Sequence, residues 1–314
     1  MKRSSIFFHF LAVSFGLLLV FAFANSVSAQ SSDADRAALT QSQAPYGTAP
    51  VTDGHIVSTP NDSDLGEQQI LKREERYEPF TATAGLPVYW TSNVALARSH
   101  TQDDVIEAPA AGLYFQPRFT RTIYGLVDIR EQMFLYDRFD DFDFNSFDVD
   151  VGLSCTVPQL DNLLLRLQYN YNRLSTDQGW DEFFSDHSII FNAEEPVPLG
   201  RAQQLAFGTY VKISLASEPE RPRRDDYEAY VSYTANLTRA FSLNAAARIV
   251  VRDYLHQQSR VDMSEIGSLV ASFKINKYFT ASALGTWAAN QSNKHFFDYE
   301  VANAGGALSL AIKF

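Results

Sequence analysis

The sequence predicts an all-β fold, a transmembrane antiparallel up-and-down β-barrel of about 12 strands behind a flexible N-terminal tail. Three observations predict it. From Phe80 to the C-terminus apolar and polar residues alternate with period two, as they do in a strand with one face in lipid and the other toward a wet interior. The links between these segments are by turns short and long. Beyond the N-terminal segment no apolar run is long enough for a helix to cross a bilayer of about 30 Å, and a closed barrel is the other structure that satisfies every backbone group in lipid.

Each segment follows from its composition. Lys2 and Arg3 precede an apolar run over 6–24, and Val27-Ser28-Ala29 precedes a cleavage position ahead of Gln30, so 1–29 reads as a secretory signal peptide. Residues 30–78 are rich in Ser, Asp, Ala, Gln, Thr and Pro without sustained alternation, which predicts a flexible acidic periplasmic tail with a short helix at 65–76 capped by Ser63. Cys155 is the one cysteine, which rules out an internal disulfide. A formal net charge of -11 argues against a nucleic-acid partner.

Strands are expected at 81–96, 112–121, 124–136, 147–157, 162–173, 187–193, 202–215, 227–237, 241–253, 264–275, 279–289 and 299–314. Short links fall near Thr122, at 159–161, 195–200, 238–240 and 276–277. Long polar links fall at 99–110, 137–146, 174–186, 216–226, 254–263 and 290–298. A membrane barrel sorts its connections in this way, with tight turns on one rim and long loops on the other, and both ends of the barrel chain then lie on the short-turn rim.

The chain ends in a strand with Leu308, Leu310, Ile312 and Phe314 on one face and Ala307, Ser309, Ala311 and Lys313 on the other. This ending resembles the terminal strand of bacterial outer-membrane β-barrel proteins, a porin-like class. The resemblance implies that the four apolar residues form a sorting signal read by the barrel-assembly machinery. It further implies residence in the outer membrane of a Gram-negative (diderm) bacterium, among lipid and lipopolysaccharide.

Face assignment gives the interior. Phe147, Val149, Val151, Leu153, Cys155 and Val157 oppose Asp148, Asp150, Gly152, Ser154 and Thr156, and the 163–171 and 205–215 segments divide likewise. Apolar faces belong to lipid. Glu131 breaks the apolar face of Ile129, Met133 and Leu135, as a local bulge or a shifted register would make it do. The interior set is Arg118, Arg130, Arg166, Lys212, Arg248, Arg252, Lys274 and Lys313 against Asp128, Asp148, Asp150 and Glu228. That basic surplus predicts a passive channel for small, anionic solutes. The alternative is a filled barrel whose Arg–Asp network packs the lumen and whose loops serve as receptor, adhesin or scaffold.

The external loops carry acidic and aromatic runs at 137–145 and 177–184, but their carboxylate spacing does not match a Ca²⁺-binding loop, so no metal site is assigned. Asp186-His187-Ser188 sets an acid, a base and a hydroxyl side by side, yet neighbours on a strand point to opposite faces. An embedded hydrolase is therefore the remote alternative, no catalytic residue is assigned, and no cofactor motif is present.

Overall fold

The computed structural model describes residues 28–43, 77–176 and 180–314. Nearly all of the expected signal segment, and the helix expected at 65–76, lie outside the described residues.

Among the described residues one α-helix and thirteen strands follow in chain order: α1(Ser28–Gln43), β1(Phe80–Thr91), β2(Asp104–Glu107), β3(Ala110–Phe115), β4(Ile123–Tyr136), β5(Phe144–Val157), β6(Leu163–Thr176) and β7(Glu182–Pro198), then β8(Gln203–Glu218), β9(Arg224–Asn236), β10(Phe241–Tyr254), β11(Arg260–Lys274), β12(Phe279–Ser292) and β13(Tyr299–Lys313). β2 and β3 lie end to end between β1 and β4, so the wall has 12 strands, as expected. The break falls at Ala108-Pro109. Pro109 has no N–H to donate, while its carbonyl accepts from Met133 N–H at 2.9 Å and Ala108 N–H reaches Pro87 O at 2.8 Å.

All wall strands are antiparallel to their neighbours, and β1 pairs with β13 from Thr81↔Lys313 to Thr91↔Asn303, which closes the barrel and leaves no edge. Phe80 and Phe314 exchange both backbone hydrogen bonds at 3.1 and 3.0 Å. The Phe80 ring stacks between Phe115 and Phe314, at centroid distances of 4.4 and 5.6 Å.

From β5 to β12 the strands run further toward the long loops than alternation predicted, whereas β1 stops at Thr91, short of the expected 96. β7 spans 17 residues where 187–193 was expected. A tilted strand needs only about 9–11 residues to cross a membrane, so the walls rise above the lipid. Glu131, Arg173 and Glu265 all occupy outward positions about that distance from the short-turn end. The β4–β5 register is unbroken through Glu131. Neither a bulge nor a slip explains this glutamate. The apolar belt, with Leu153, Leu167, Phe207, Ile249, Leu269 and Leu308 about half exposed on the outside of the wall, is interrupted at this level by the three charges, and Met133 on β4 and Met263 on β11 continue the outward face beyond them.

Residues 28–43 are not a free tether. α1 is seated inside the loop-side half of the barrel, because the wall there is built to hold it, as the contacts below establish.

Candidate functional site

The site is the lumen, and its first feature is its occupant. Near the long-loop rim, on the side of the wall formed by β1, β2 and β4 to β7, Tyr89, Ile106, Phe134, Tyr136, Phe144, Leu174 and Phe184 form an apolar collar among the inward positions, closed by Ala34 and Ala37 of α1. Phe134 and Phe144 stack at 4.5 Å. On the opposite side of the helix Leu39 is buried among Val250, Ile266, Ala288, Tyr299 and Val301. Such a collar facing water would expose a large apolar patch, and α1 removes it from water.

Polar contacts fix the depth and direction of α1. At the rim, Asp35 accepts hydrogen bonds from Arg260 Nη1 at 2.6 Å, Tyr254 OH at 2.9 Å and Arg224 Nη1 at 3.2 Å. The Arg36 guanidinium lies 3.9 Å from the Phe142 ring centroid. Lower in the lumen, Gln41 Nε2 donates to Ser146 Oγ at 2.8 Å and Asp148 Oδ2 at 2.9 Å, and Gln43 Nε2 donates to Tyr299 OH. Arg248 Nη2 reaches the Ser42 carbonyl at 3.4 Å, which puts a cation at the last turn, where the helix dipole is negative. α1 thus runs from the outer rim down to mid-lumen.

Beside α1 lies a cavity of about 380 Å³ between the helix and the β4–β9 wall. Arg130, Arg166, Lys212, Arg223 and Arg224 line it with Asp128, Asp148, Asp150, Asp186 and Asp226, together with Gln168, Asn170, Asn172, Asn192, Tyr210 and Tyr230. The charges are arranged in bonded groups. Lys212 Nζ pairs with Asp186 Oδ2 at 2.8 Å, and Arg224 Nε with Asp226 Oδ1 at 3.1 Å. Asp150 Oδ1 accepts from Gln168 Nε2 at 2.8 Å and Asn170 Nδ2 at 2.9 Å, and Asn172 Nδ2 donates to Asp148 Oδ1 at 2.9 Å. Tyr230 OH donates to Glu194 Oε2 at 2.6 Å.

The interior residues expected from alternation divide in two. Arg130, Arg166, Lys212, Asp128, Asp148 and Asp150 line the cavity. Arg248 and Glu228 face each other at 3.9 Å, and Arg252 is buried with Nη1 on Ser264 Oγ. Arg118, Lys274 and Lys313, by contrast, are exposed at the short-turn rim, where Arg118 Nε donates to Thr120 O at 3.1 Å. Alternation assigns a face but not a depth, and it carried these three into the interior.

The lumen also holds acids that the expected strand limits cut off. Asp186, Asp226 and Asp262 lie in strand ends beyond those limits, and with Asp186 and Asp226 the cavity shows no basic surplus, since five cations and five carboxylates line it. Arg224 and Arg260 were missed for the same reason. Within 186–188, Asp186 bonds to Lys212 and Ser188 Oγ to Asn170 Oδ1 at 3.3 Å inside the barrel, while His187 lies on the outside against the Tyr171 ring. The histidine thus points away from the acid and the hydroxyl.

No protein-family model matches the sequence, and no curated protein matches it. Among solved structures, an outer membrane channel from Pseudomonas putida F1 superposes with a TM-score of 0.53 at 10% identity, over 76% of this chain and 98% of that one. The translocator domain of the autotransporter NalP from Neisseria meningitidis gives a TM-score of 0.41 at 11% identity over 90% and 98%. An anion-selective porin from Comamonas acidovorans gives 0.37 at 6% identity over 74% and 98%. At such scores the last two add nothing to the fold assignment. Closure without an edge, an apolar outer belt and the likeness to the Pseudomonas channel agree: the chain has the fold of a bacterial outer-membrane β-barrel.

Proposed function

We propose that this protein is a passive channel for small polar solutes in the outer membrane of a diderm bacterium, with the outer half of its pore occupied at rest by its own helix α1. The observation that carries the reading is the cavity of about 380 Å³ beside α1, lined by hydrogen-bonding and charged side chains of both signs. A cavity of this size accommodates a small solute, and rings of charged side chains set what a pore admits. Because cations and carboxylates balance there, the expected charge preference is weak, in place of the anion preference that the sequence suggested.

The test is single-channel recording in planar bilayers of the full chain and of a variant lacking 28–43. The full chain is expected to show small or rare openings and the deletion variant larger, long-lived ones. Silence from both overturns the channel. That outcome would favour a filled barrel acting through its loops as receptor or scaffold, a reading supported by the close packing of α1 in its collar.

A further inference from the structure

We infer that Arg224, Tyr254 and Arg260 form a carboxylate receptor at the outer mouth of the barrel, that Asp35 is its built-in ligand, and that a small carboxylate solute competes with Asp35 for it and so loosens α1. The coupling to α1 rests on the channel reading above. The receptor itself does not.

Three observations support it. First, the donors belong to the wall. Tyr254 is the register partner of Arg224 on β9 and of Arg260 on β11, so the three stand side by side on adjacent strands whether or not α1 is present. Secondly, each arginine is already oriented by another group. Arg260 Nε lies 3.0 Å from both carboxylate oxygens of Asp262, and its guanidinium sits 3.9 and 3.5 Å from the ring centroids of Tyr254 and Phe297. Arg224 Nε is held by Asp226 at 3.1 Å. In both arginines Nη1 meets Asp35, and it donates as well to Tyr254 OH at 3.2 Å from Arg224 and to Gln257 Oε1 at 2.9 Å from Arg260. Two guanidinium N–H groups and one phenol O–H converging on one carboxylate make a preorganised, charge-assisted site.

Thirdly, the charge on the wall is unbalanced without the helix. Arg252, buried at 1% exposure, is the register partner of both Asp226 and Asp262, so this stretch of wall sets Arg224, Arg252 and Arg260 against Asp226 and Asp262. Asp35 supplies the missing negative charge. A solute carboxylate would supply the same charge and the same acceptor oxygens. Arg224 also lines the cavity beside α1, so a solute there meets one of the groups that hold Asp35.

The experiment titrates succinate, with uncharged 1,4-butanediol as control, into the full chain in lipid nanodiscs, with binding read by calorimetry. Asp35→Ala is expected to bind succinate at least about ten-fold more tightly than the native chain, because the internal competitor is gone. Adding Arg260→Met, or the more conservative Arg224→Gln, to Asp35→Ala is expected to abolish that gain, with the strand circular-dichroism spectrum retained. Equal affinity in native chain and Asp35→Ala, no binding to either, or a gain that survives both arginine substitutions overturns the receptor. In bilayers, succinate on the loop side is expected to raise the open fraction of the native chain and leave that of Asp35→Ala unchanged. Openings in Asp35→Ala with no succinate effect on the native chain overturn the competition and leave the channel standing. Silence of the chain lacking 28–43 overturns the channel and leaves the calorimetry to decide the receptor.

Discussion

The Tyr230 ring fills the space that a side chain at Gly208 would require: a Cβ at Gly208 would fall 2.1 Å from Tyr230 Cζ. Glycine on β8 therefore sets the position of a tyrosine on β9 that borders the cavity and donates to Glu194. Gly208→Ala is expected to push Tyr230 off Glu194 and to cost about 1–3 kcal/mol by overpacking. Urea unfolding of the native chain, Gly208→Ala, Tyr230→Ala and the double variant checks this, since the cost at Gly208 should nearly vanish when Tyr230 is already alanine.

Leu39→Ala is expected to loosen α1. The leucine is buried among residues of β10 to β13, and its truncation should weaken the seat by about 2 kcal/mol or more, which is roughly a 30-fold rise in the unseated fraction. Tryptic cleavage after Arg36, shielded in the native chain by Phe142 and the collar, reports it. An unchanged cleavage rate would mean that Leu39 does not hold the helix.

Charge selectivity should respond in opposite directions to two single changes. Lys212→Gln removes the cation 2.8 Å from the buried Asp186, leaving it the Ser214 hydroxyl, and should shift the reversal potential in a KCl gradient toward cation preference. Asp148→Asn removes a carboxylate that faces the cavity and should shift it toward anions. Shifts of the same sign would place the conducting path elsewhere.

The loop at 293–298 should be sensitive to strong acid. Asp298 accepts the Ser292 backbone N–H at 2.8 Å and lies 2.9 Å from His295 Nδ1, and the Ser292 bond, followed by the histidine, holds its carboxyl below the ordinary value of 3.8. A depressed folded-state pKa gives stabilisation that is full above the ordinary value and is lost as pH falls through the depressed one. Hydrogen exchange at 293–298 should therefore be flat from neutral pH to about pH 4 and, after correction for intrinsic rates, rise below it. Asp298→Asn should abolish the step.

The barrel was legible because its signal is redundant: many segments each repeat one alternation, and the sorting of links adds a second, independent regularity. The ends of the strands were not. Toward the long loops charges interrupt the outward face, Arg173 on β6 and Glu265 on β11 among them, so alternation weakens while backbone pairing continues. The missing acids and the receptor arginines lie in those stretches. Helix α1 was illegible for a related reason. Its surroundings are an apolar collar on one side and a charged wall on another, so Ala34, Ala37 and Leu39 are interleaved with Asp35, Arg36 and Gln41, and no single apolar stripe marks a helix.

The closure of β1 on β13 has a consequence for assembly. Helix α1 precedes β1 in the chain, yet it lies within the ring that β1 completes. The backbone bonds between Phe80 and Phe314 join residues that span nearly the whole barrel sequence, and pairings between such distant residues are intrinsically slow. Until that seam is joined, the helix can reach its seat from the side. Afterwards it has only the two mouths, and whichever event comes first decides whether the barrel folds around its occupant or receives it.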